Sequence, residues 1–399
     1  MNDFIEADLC VKCGLCLPHC PTYQQTLDEN ESPRGRIALI QGWSKGQLES
    51  SETLQKHLDH CLLCRSCEKA CPAFVPYGKL MDRYHSESGS LGRSRHKKLQ
   101  ALLADSRKLR WLSRFLKLYK RSGLGWLTRS SGILKVMGLA RYDAMLPRLQ
   151  SISSTEQETA ENQKEVALFV GCMGRLLDEQ TVASAKIILN RWGFKTTISE
   201  KQTCCGAIAL HDGDAMTAQS LAMQNSQTFS EQKIVVTIAS GCGSTLSDYH
   251  SSFPEQPEIE EMAGKITDIS HFLMENWPAE LPLKAIAKTV FIHTPCTLKN
   301  VLKQASGPEK LLAKIPELML HKDSAAQHCC GAAGSYMLDY PETANSLADN
   351  LIDQVERLNP DYLVSSNIGC AMHLRAAIVA RGLKTEVVHP IVLLEKALL

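Results

Sequence analysis

The 399 residues contain no dinucleotide-binding loop of the form G-x-G-x-x-G and no phosphate-binding loop ending in Gly-Lys-Ser/Thr. Gly241-Cys-Gly243 and Gly123-Leu-Gly125 each lack the third glycine. The chain therefore has no means of holding a flavin or nicotinamide, and no hydride acceptor of its own. No apolar run approaches the ~20 residues that span a bilayer. The nine residues before Cys10 include three acids, Asp3, Glu6 and Asp8, with no basic region, apolar stretch or twin arginine that would direct export. These absences predict a cytoplasmic protein, or one attached to the inner membrane face without crossing it. Net charge is only +1, so the overall balance names no partner. No recognised nucleic-acid motif occurs, which argues against a nucleic-acid partner.

Cysteine is abundant, at 16 residues. A reducing compartment turns that number from a disulfide framework into a metal-binding inventory. Cys10-Val-Lys-Cys13-Gly-Leu-Cys16-Leu-Pro-His-Cys20-Pro21 and Cys61-Leu-Leu-Cys64-Arg-Ser-Cys67-Glu-Lys-Ala-Cys71-Pro72 are both C-x2-C-x2-C-x3-C-P. That spacing holds a [4Fe–4S] cluster. Three thiolates on a tight loop reach three irons of a cube, and the fourth iron takes its ligand from the other run. Cys10, Cys13, Cys16 and Cys71 are thus assigned to one cluster, and Cys61, Cys64, Cys67 and Cys20 to a second. Zinc also binds C-x2-C pairs, but it requires neither the third cysteine nor the trailing Cys-Pro.

Length predicts about two to four domains. Residues 1–90 form the cluster domain. Between the runs, Ile37, Ile40, Trp43, Leu54 and Leu58 recur at helical spacing, and Ser32-Pro33-Arg34-Gly35 has the form of a helix start. An α-helical ferredoxin domain is expected. Phe74, Val75 and Tyr77 after the second run read as core, with shielding of a cluster as the other use. Residues 91–150 are a basic helical linker: Arg93 to Arg148 hold fifteen Lys or Arg against two acids, a net of +13, which leaves the rest of the chain near −12. Leu99, Leu102, Leu103, Leu109, Leu112, Phe115, Leu116 and Tyr119 keep close to an amphipathic stripe. Such a helix suits an anionic membrane surface, an acidic partner, or a solvated linker. Residues 151–164 read as a polar linker.

The remainder repeats. Cys172, Cys204, Cys205 and Cys242 recur as Cys296, Cys329, Cys330 and Cys370 at offsets of 124, 125, 125 and 128. Apolar runs at 166–170, 234–239, 290–293 and 362–365 alternate with helical stretches at 182–192, 215–229 and 342–358, the pattern of parallel α/β units. The fold class is α+β multidomain: the helical ferredoxin domain, then two repeated α/β cysteine-rich domains at 165–280 and 281–399. Each repeat places its cysteines at strand ends, where open α/β sheets carry their sites. Adjacent cysteines rarely bridge one another. An iron–sulfur cluster, zinc or another single metal, and redox-active or structural thiols all fit these eight residues. His211, His293 and His328 lie close by in sequence as further ligands, proton carriers or hydrogen-bonded structural residues.

Clusters move single electrons, whereas most metabolites surrender two, so an oxidising subunit with a flavin is required elsewhere. The chain is read as an electron conduit with no catalytic residue of its own. The two cysteine runs, Ser32-Pro33-Arg34-Gly35-Arg36-Ile37, Leu58-Asp59-His60-Cys61, Cys204-Cys205-Gly206-Ala207, Ser240-Gly241-Cys242-Gly243, His293-Thr-Pro295-Cys296-Thr297-Leu298, Cys329-Cys330-Gly331-Ala332-Ala333-Gly334 and Asn367-Ile368-Gly369-Cys370 resemble, nearly end to end, the iron–sulfur subunits of bacterial glycolate oxidase. The resemblance implies two [4Fe–4S] clusters, an FAD-binding partner that oxidises glycolate or another 2-hydroxy acid, and electron flow towards a quinone. Similar chains serve D-lactate and glycerol-3-phosphate dehydrogenases. A metal-dependent scaffold with structural clusters is the reading from a different class. The Cys-Cys-Gly segments also resemble heterodisulfide reductase, but Ala239 and Asn367 stand where that pattern has a further cysteine.

Overall fold

The computed structural model describes residues 4–88, 96–122, 124–147, 164–322 and 329–399. His328, Arg93, Arg148 and, apart from Lys164, the polar linker at 151–164 lie outside the described residues.

Residues 4–88 are helical, with no strand among those described. Ser32 caps the helix Pro33–Ser44 by accepting from the Gly35 N–H at 2.9 Å, and Ser51 caps Glu52–Asp59 through the Leu54 N–H at 3.2 Å. Pro33 occupies the first turn, where its missing donor costs nothing. Gly35 is required by space: a Cβ there would stand 1.8 Å from the Glu29 carbonyl oxygen. These helices and Tyr77–Glu87 bury Ile37, Ile40, Leu54, Leu58, Leu80 and Met81 together.

The apolar stripe from Leu99 to Tyr119 runs over two helices rather than one, and three shorter helices, Leu124–Ser130, Ile133–Val136 and Ala140–Met145, complete the described part of the basic segment. Lys97–Ala104 stops and Ser106–Arg121 restarts at Asp105, whose carboxylate accepts from the Arg107 and Lys108 N–H groups at 2.9 and 3.1 Å. Leu103 and Leu109 are buried against the first repeat, while Trp111, Phe115, Leu118 and Trp126 stand exposed.

Among the described residues, eight parallel strands form two four-stranded sheets. In the first, β1 (Lys164–Phe169), β2 (Phe194–Thr197), β3 (Val235–Thr237) and β4 (Ile266–Asp268) lie in the order β2-β1-β3-β4. In the second, β5 (Lys288–His293), β6 (Leu318–Lys322), β7 (Tyr362–Ser365) and β8 (Glu386–Val388) lie in the order β6-β5-β7-β8. Register is equivalent: Ala167 pairs with Val235, and Phe291 with Leu363. The sheets share one apolar core, in which Val166, Leu168 and Val236 meet Val290, Ile292 and Val364. No described helix is long and apolar enough to cross a membrane.

Candidate metal centres

The two cysteine runs adopt the same loop. Lys12 and Gly14 have φ of 56° and 85°; Leu63 and Arg65, 51 positions on, have φ of 50° and 56°. Left-handed residues at matched places curl each loop so that its first three cysteines face one side. Cys10, Cys13, Cys16 and Cys71 line one cavity with Ile37, Val75 and Tyr77. Cys20, Cys61, Cys64 and Cys67 line a second with Arg36 and Tyr77. Cys67, Pro33 and Tyr77 stand in both walls, so the cavities adjoin. Val75 and Tyr77 are buried here, whereas Phe74 is 84% exposed at φ 51°, which corrects its reading as core or shield. The second wall holds four thiols and the first holds four besides the shared Cys67, with each run at the spacing of a cubane, so the residues fit [4Fe–4S] clusters.

A buried ion-pair network braces the second cavity, and no sequence signal pointed to it. Arg36 is 1% exposed. Its guanidinium donates to Glu31 Oε2 at 2.5 Å, Thr22 Oγ1 at 3.1 Å and the His57 carbonyl at 2.7 Å. Glu31 also meets His57 Nδ1 at 2.7 Å and His60 Nδ1 at 3.4 Å. Burial pushes the Glu31 carboxyl up, but His60, Arg36 and His57 together outweigh it and hold it below its usual range. Thr22 in turn contacts Cys20 Sγ at 3.3 Å, and Tyr77, Cys61 and Cys20 lie close enough to favour the Arg36 charge. One guanidinium thus ties the segment bearing Cys20 to the helix that leads into Cys61.

In each repeat the cysteines gather at the carboxyl ends of the two central strands, the point where strand order reverses. Cys172 follows β1 and Cys242 follows β3, each in the first turn of a helix. Cys172 Sγ lies 3.6 Å from Cys204 Sγ. Hydrogen bonds from Cys172 and Cys205 hold the Cys204 thiol well below its usual range, and those two are pushed up in exchange. In the second repeat Cys330 and Cys370 lie 2.8 Å apart, and Asn367 Nδ2 donates to Cys370 Sγ at 3.4 Å. Burial and the neighbouring Cys329 push Cys296 up to about 12. Gly206 and Gly331 have φ of 83° and 77° and donate their N–H to Cys204 and Cys329. The donor chemistry, four soft thiols per repeat of which Cys172, Cys204, Cys205, Cys330 and Cys370 are buried and Cys242, Cys296 and Cys329 half-buried, fits an iron–sulfur group or zinc.

The cysteine sets are contiguous. Burial, then Cys296 and Cys329 beside it, push the Cys64 thiol well up, and Asn300 Nδ2 donates to the Cys64 carbonyl at 2.7 Å. Leu62 is buried in the core of the second repeat, and the His60 ring packs on Tyr340 at 4.3 Å. Of the histidines singled out, His293 joins Cys330 and Cys370, whereas His211 pairs with Asp82 at 2.8 Å and ties the first repeat to the ferredoxin region. A cavity of about 500 Å³ between the linker helices and both repeats is lined by no cysteine.

Comparison with known proteins agrees along the chain. Residues 6–75 match a 4Fe-4S dicluster domain, and residues 166–247 and 290–375 each match a cysteine-rich domain. Residues 95–146 match the linker region of the glycolate oxidase iron-sulfur subunit. The probable glycolate oxidase iron-sulfur subunit of Bacillus subtilis (strain 168) is 31% identical over 95% of this chain and 91% of its own length. The glycolate oxidase iron-sulfur subunit of Escherichia coli (strain K12) is 30% identical over 99% and 96%. Lactate utilization protein A of Shouchella clausii is 26% identical over 56% of this chain and 95% of its own. With likeness of 30% or more along nearly the full length of both relatives and a match to that subunit's linker region, the chain belongs to the family of glycolate oxidase iron–sulfur subunits.

Proposed function

We propose that this chain is the electron-transfer subunit of a flavin-dependent 2-hydroxy acid oxidase of the glycolate type, working in the cytoplasm. It takes electrons from an FAD-bearing partner and passes them towards a quinone. The observation that carries the reading is the series of adjoining thiol sets: Cys10, Cys13, Cys16 and Cys71, then Cys20, Cys61, Cys64 and Cys67, then Cys296 and Cys329. The first two sets are the proposed ligands of two [4Fe–4S] clusters. When bound, the clusters supply one-electron steps. The protein's own part is positional. The matched loops aim the thiols, Val75 and Tyr77 keep water from the first cavity, and Arg36 places a fixed positive charge beside the second. The remaining cysteines, Cys172, Cys204, Cys205 and Cys242 and their counterparts Cys296, Cys329, Cys330 and Cys370, are proposed to hold further iron–sulfur groups or zinc.

Electron entry is placed at the first cavity. Cys13 is exposed there, and Val11, Leu15 and Phe74 present apolar side chains to solvent. A docking partner would bury these groups and close the distance to its flavin. On the linker, Trp111, Phe115, Leu118 and Trp126 stand outward among cationic residues, which supports peripheral contact with an anionic membrane surface. Flotation with anionic vesicles tests this: reversing Arg107, Lys108, Arg110 and Arg114 should abolish binding, and unchanged binding would leave the face as a solvated linker. The main test is activity. The isolated chain should not oxidise glycolate or lactate, and turnover should appear on adding the flavoprotein. Turnover by the flavin-free chain alone would refute the reading.

A further inference from the structure

The two repeats differ in chemistry at a buried position at the sites themselves. β1 ends on Phe169 and β5 ends on His293, 124 positions apart, the same offset that relates Cys172 to Cys296. Phe169 packs on Phe229 with ring centroids 6.1 Å apart, so the first repeat has a hydrocarbon ring at this place. His293, Cys330 and Cys370 instead form a buried group whose ligand atoms all lie within 4.8 Å of one another. No other such group occurs among the described residues. Ser365, the last residue of β7, sets its Oγ 3.0 Å from His293 Nδ1. A metal-bound imidazole is oriented through its other nitrogen in this manner.

We propose that His293 is a metal ligand through Nε2. The second repeat then holds its metal or cluster by a mixed imidazole–thiolate set with Cys330 and Cys370, whereas the first uses thiolates alone. This rests on the reading of Cys330 and Cys370 as ligands. Its consequence is directional. Filling a coordination place with a neutral imidazole rather than with one of the remaining thiolates, Cys296 or Cys329, leaves the site one negative charge fewer and favours its reduced form, as in iron–sulfur centres where histidine replaces cysteine. The second repeat is also the one whose cysteines face Cys64. The stronger electron acceptor of the two repeats therefore lies next to the second cluster cavity, which assigns it as the exit from the ferredoxin domain.

The test uses full-length protein purified anaerobically from cells grown on 15N-histidine, with iron and zinc counted in the wild type, His293→Gln, His293→Cys and Cys330→Ser. If the second repeat holds iron, electron–nuclear double resonance should show one strongly coupled 15N, since the N-terminal runs offer only thiolates. If it holds zinc, absorption at the zinc edge should show a nitrogen at about 2.0–2.1 Å beside sulfur at about 2.3 Å. The nitrogen should vanish in His293→Gln and give way to sulfur in His293→Cys. An all-sulfur shell in the wild type, or a nitrogen that survives in His293→Gln, overturns the proposal. Should the variants fail to fold, the wild-type spectrum alone decides. Failure of the underlying reading is distinct: Cys330→Ser would then keep the wild-type metal content, and a second repeat without metal would overturn both.

Discussion

Replacing Arg36 with methionine should release the second cluster while sparing the first. Arg36 makes three hydrogen bonds inside the protein, and its partner Glu31 has a side chain only 5% exposed. Methionine keeps most of the volume but leaves the Glu31 carboxylate facing His57 and His60, which compensate only when protonated. Breaking one side of a buried pair costs about 3–5 kcal/mol. At roughly 1.4 kcal/mol per tenfold, that is a shift of about two to three and a half decades in the local opening equilibrium. The loss falls on Cys20 and Cys61, because Thr22 and His57 are the anchors removed. Arg36 is not in the wall lined by Cys10, Cys13 and Cys16. Iron per chain in the N-terminal domain should fall from about eight towards about four, with chelator-driven release faster by a similar factor. Glu31→Gln combined with Arg36→Met should recover part of the loss by removing the stranded charge. The pH dependence has a definite sign. The Glu31 carboxyl is lowered in the folded protein, so its contribution is complete above the ordinary carboxylate range and disappears as pH falls through its folded value. Acid should therefore strip the second cluster first. An Arg36→Met protein with full iron and wild-type release kinetics would refute this reasoning.

Cys20→Ser should damage the cluster of Cys61, Cys64 and Cys67; selective loss at Cys10, Cys13 and Cys16 in the reduced-state paramagnetic spectrum would mean each run keeps its own fourth cysteine. Asp268 caps the helix Ile269–Glu275, yet its Oδ2 has no hydrogen-bond partner among the described residues, and burial raises its carboxyl to about 7. The folded state thus keeps a proton that the unfolded chain sheds near pH 4, and stability declines between those values by on the order of 4 kcal/mol. Asp268→Asn should remove that decline and exceed wild type in urea melts at pH 8, and parallel pH profiles would show that the carboxyl is solvated. Gly35→Ala would place a methyl 1.8 Å from the Glu29 carbonyl oxygen, so it should lower thermal stability and iron content together; a wild-type melting curve would contradict the close approach.

The strands that could be read from the sequence are the central ones. β1, β3, β5 and β7 are covered on both faces and appear as apolar runs. The edge strands β2, β4, β6 and β8 are no shorter than the central β3, and it is their mixed composition that hides them: Phe194-Lys-Thr-Thr carries one apolar residue, and Leu318-Met-Leu-His-Lys ends in polar ones. The linker was legible as basic and amphipathic, but its break depended on Asp105 acting as a cap, a local signal hidden by an apolar stripe that continues through it. The cysteine runs announce themselves because their ligands are neighbours in the chain. The Arg36 network does not, since Glu31 and Arg36 look like ordinary charged residues near a helix start, and His57 is 21 positions further on. His293 was visible as a candidate among three, but its placement with Cys330 and its support by Ser365, 72 residues away, are properties of the folded sheet.

The central claim is that the clusters carry electrons rather than merely brace the fold. Anaerobic protein with full iron should be mixed with its flavoprotein partner and glycolate, and its visible absorbance followed. The account predicts bleaching of the cluster absorbance on adding substrate and its return on adding a quinone. Clusters that stay oxidised while the partner's flavin is fully reduced would contradict it and leave them a structural role.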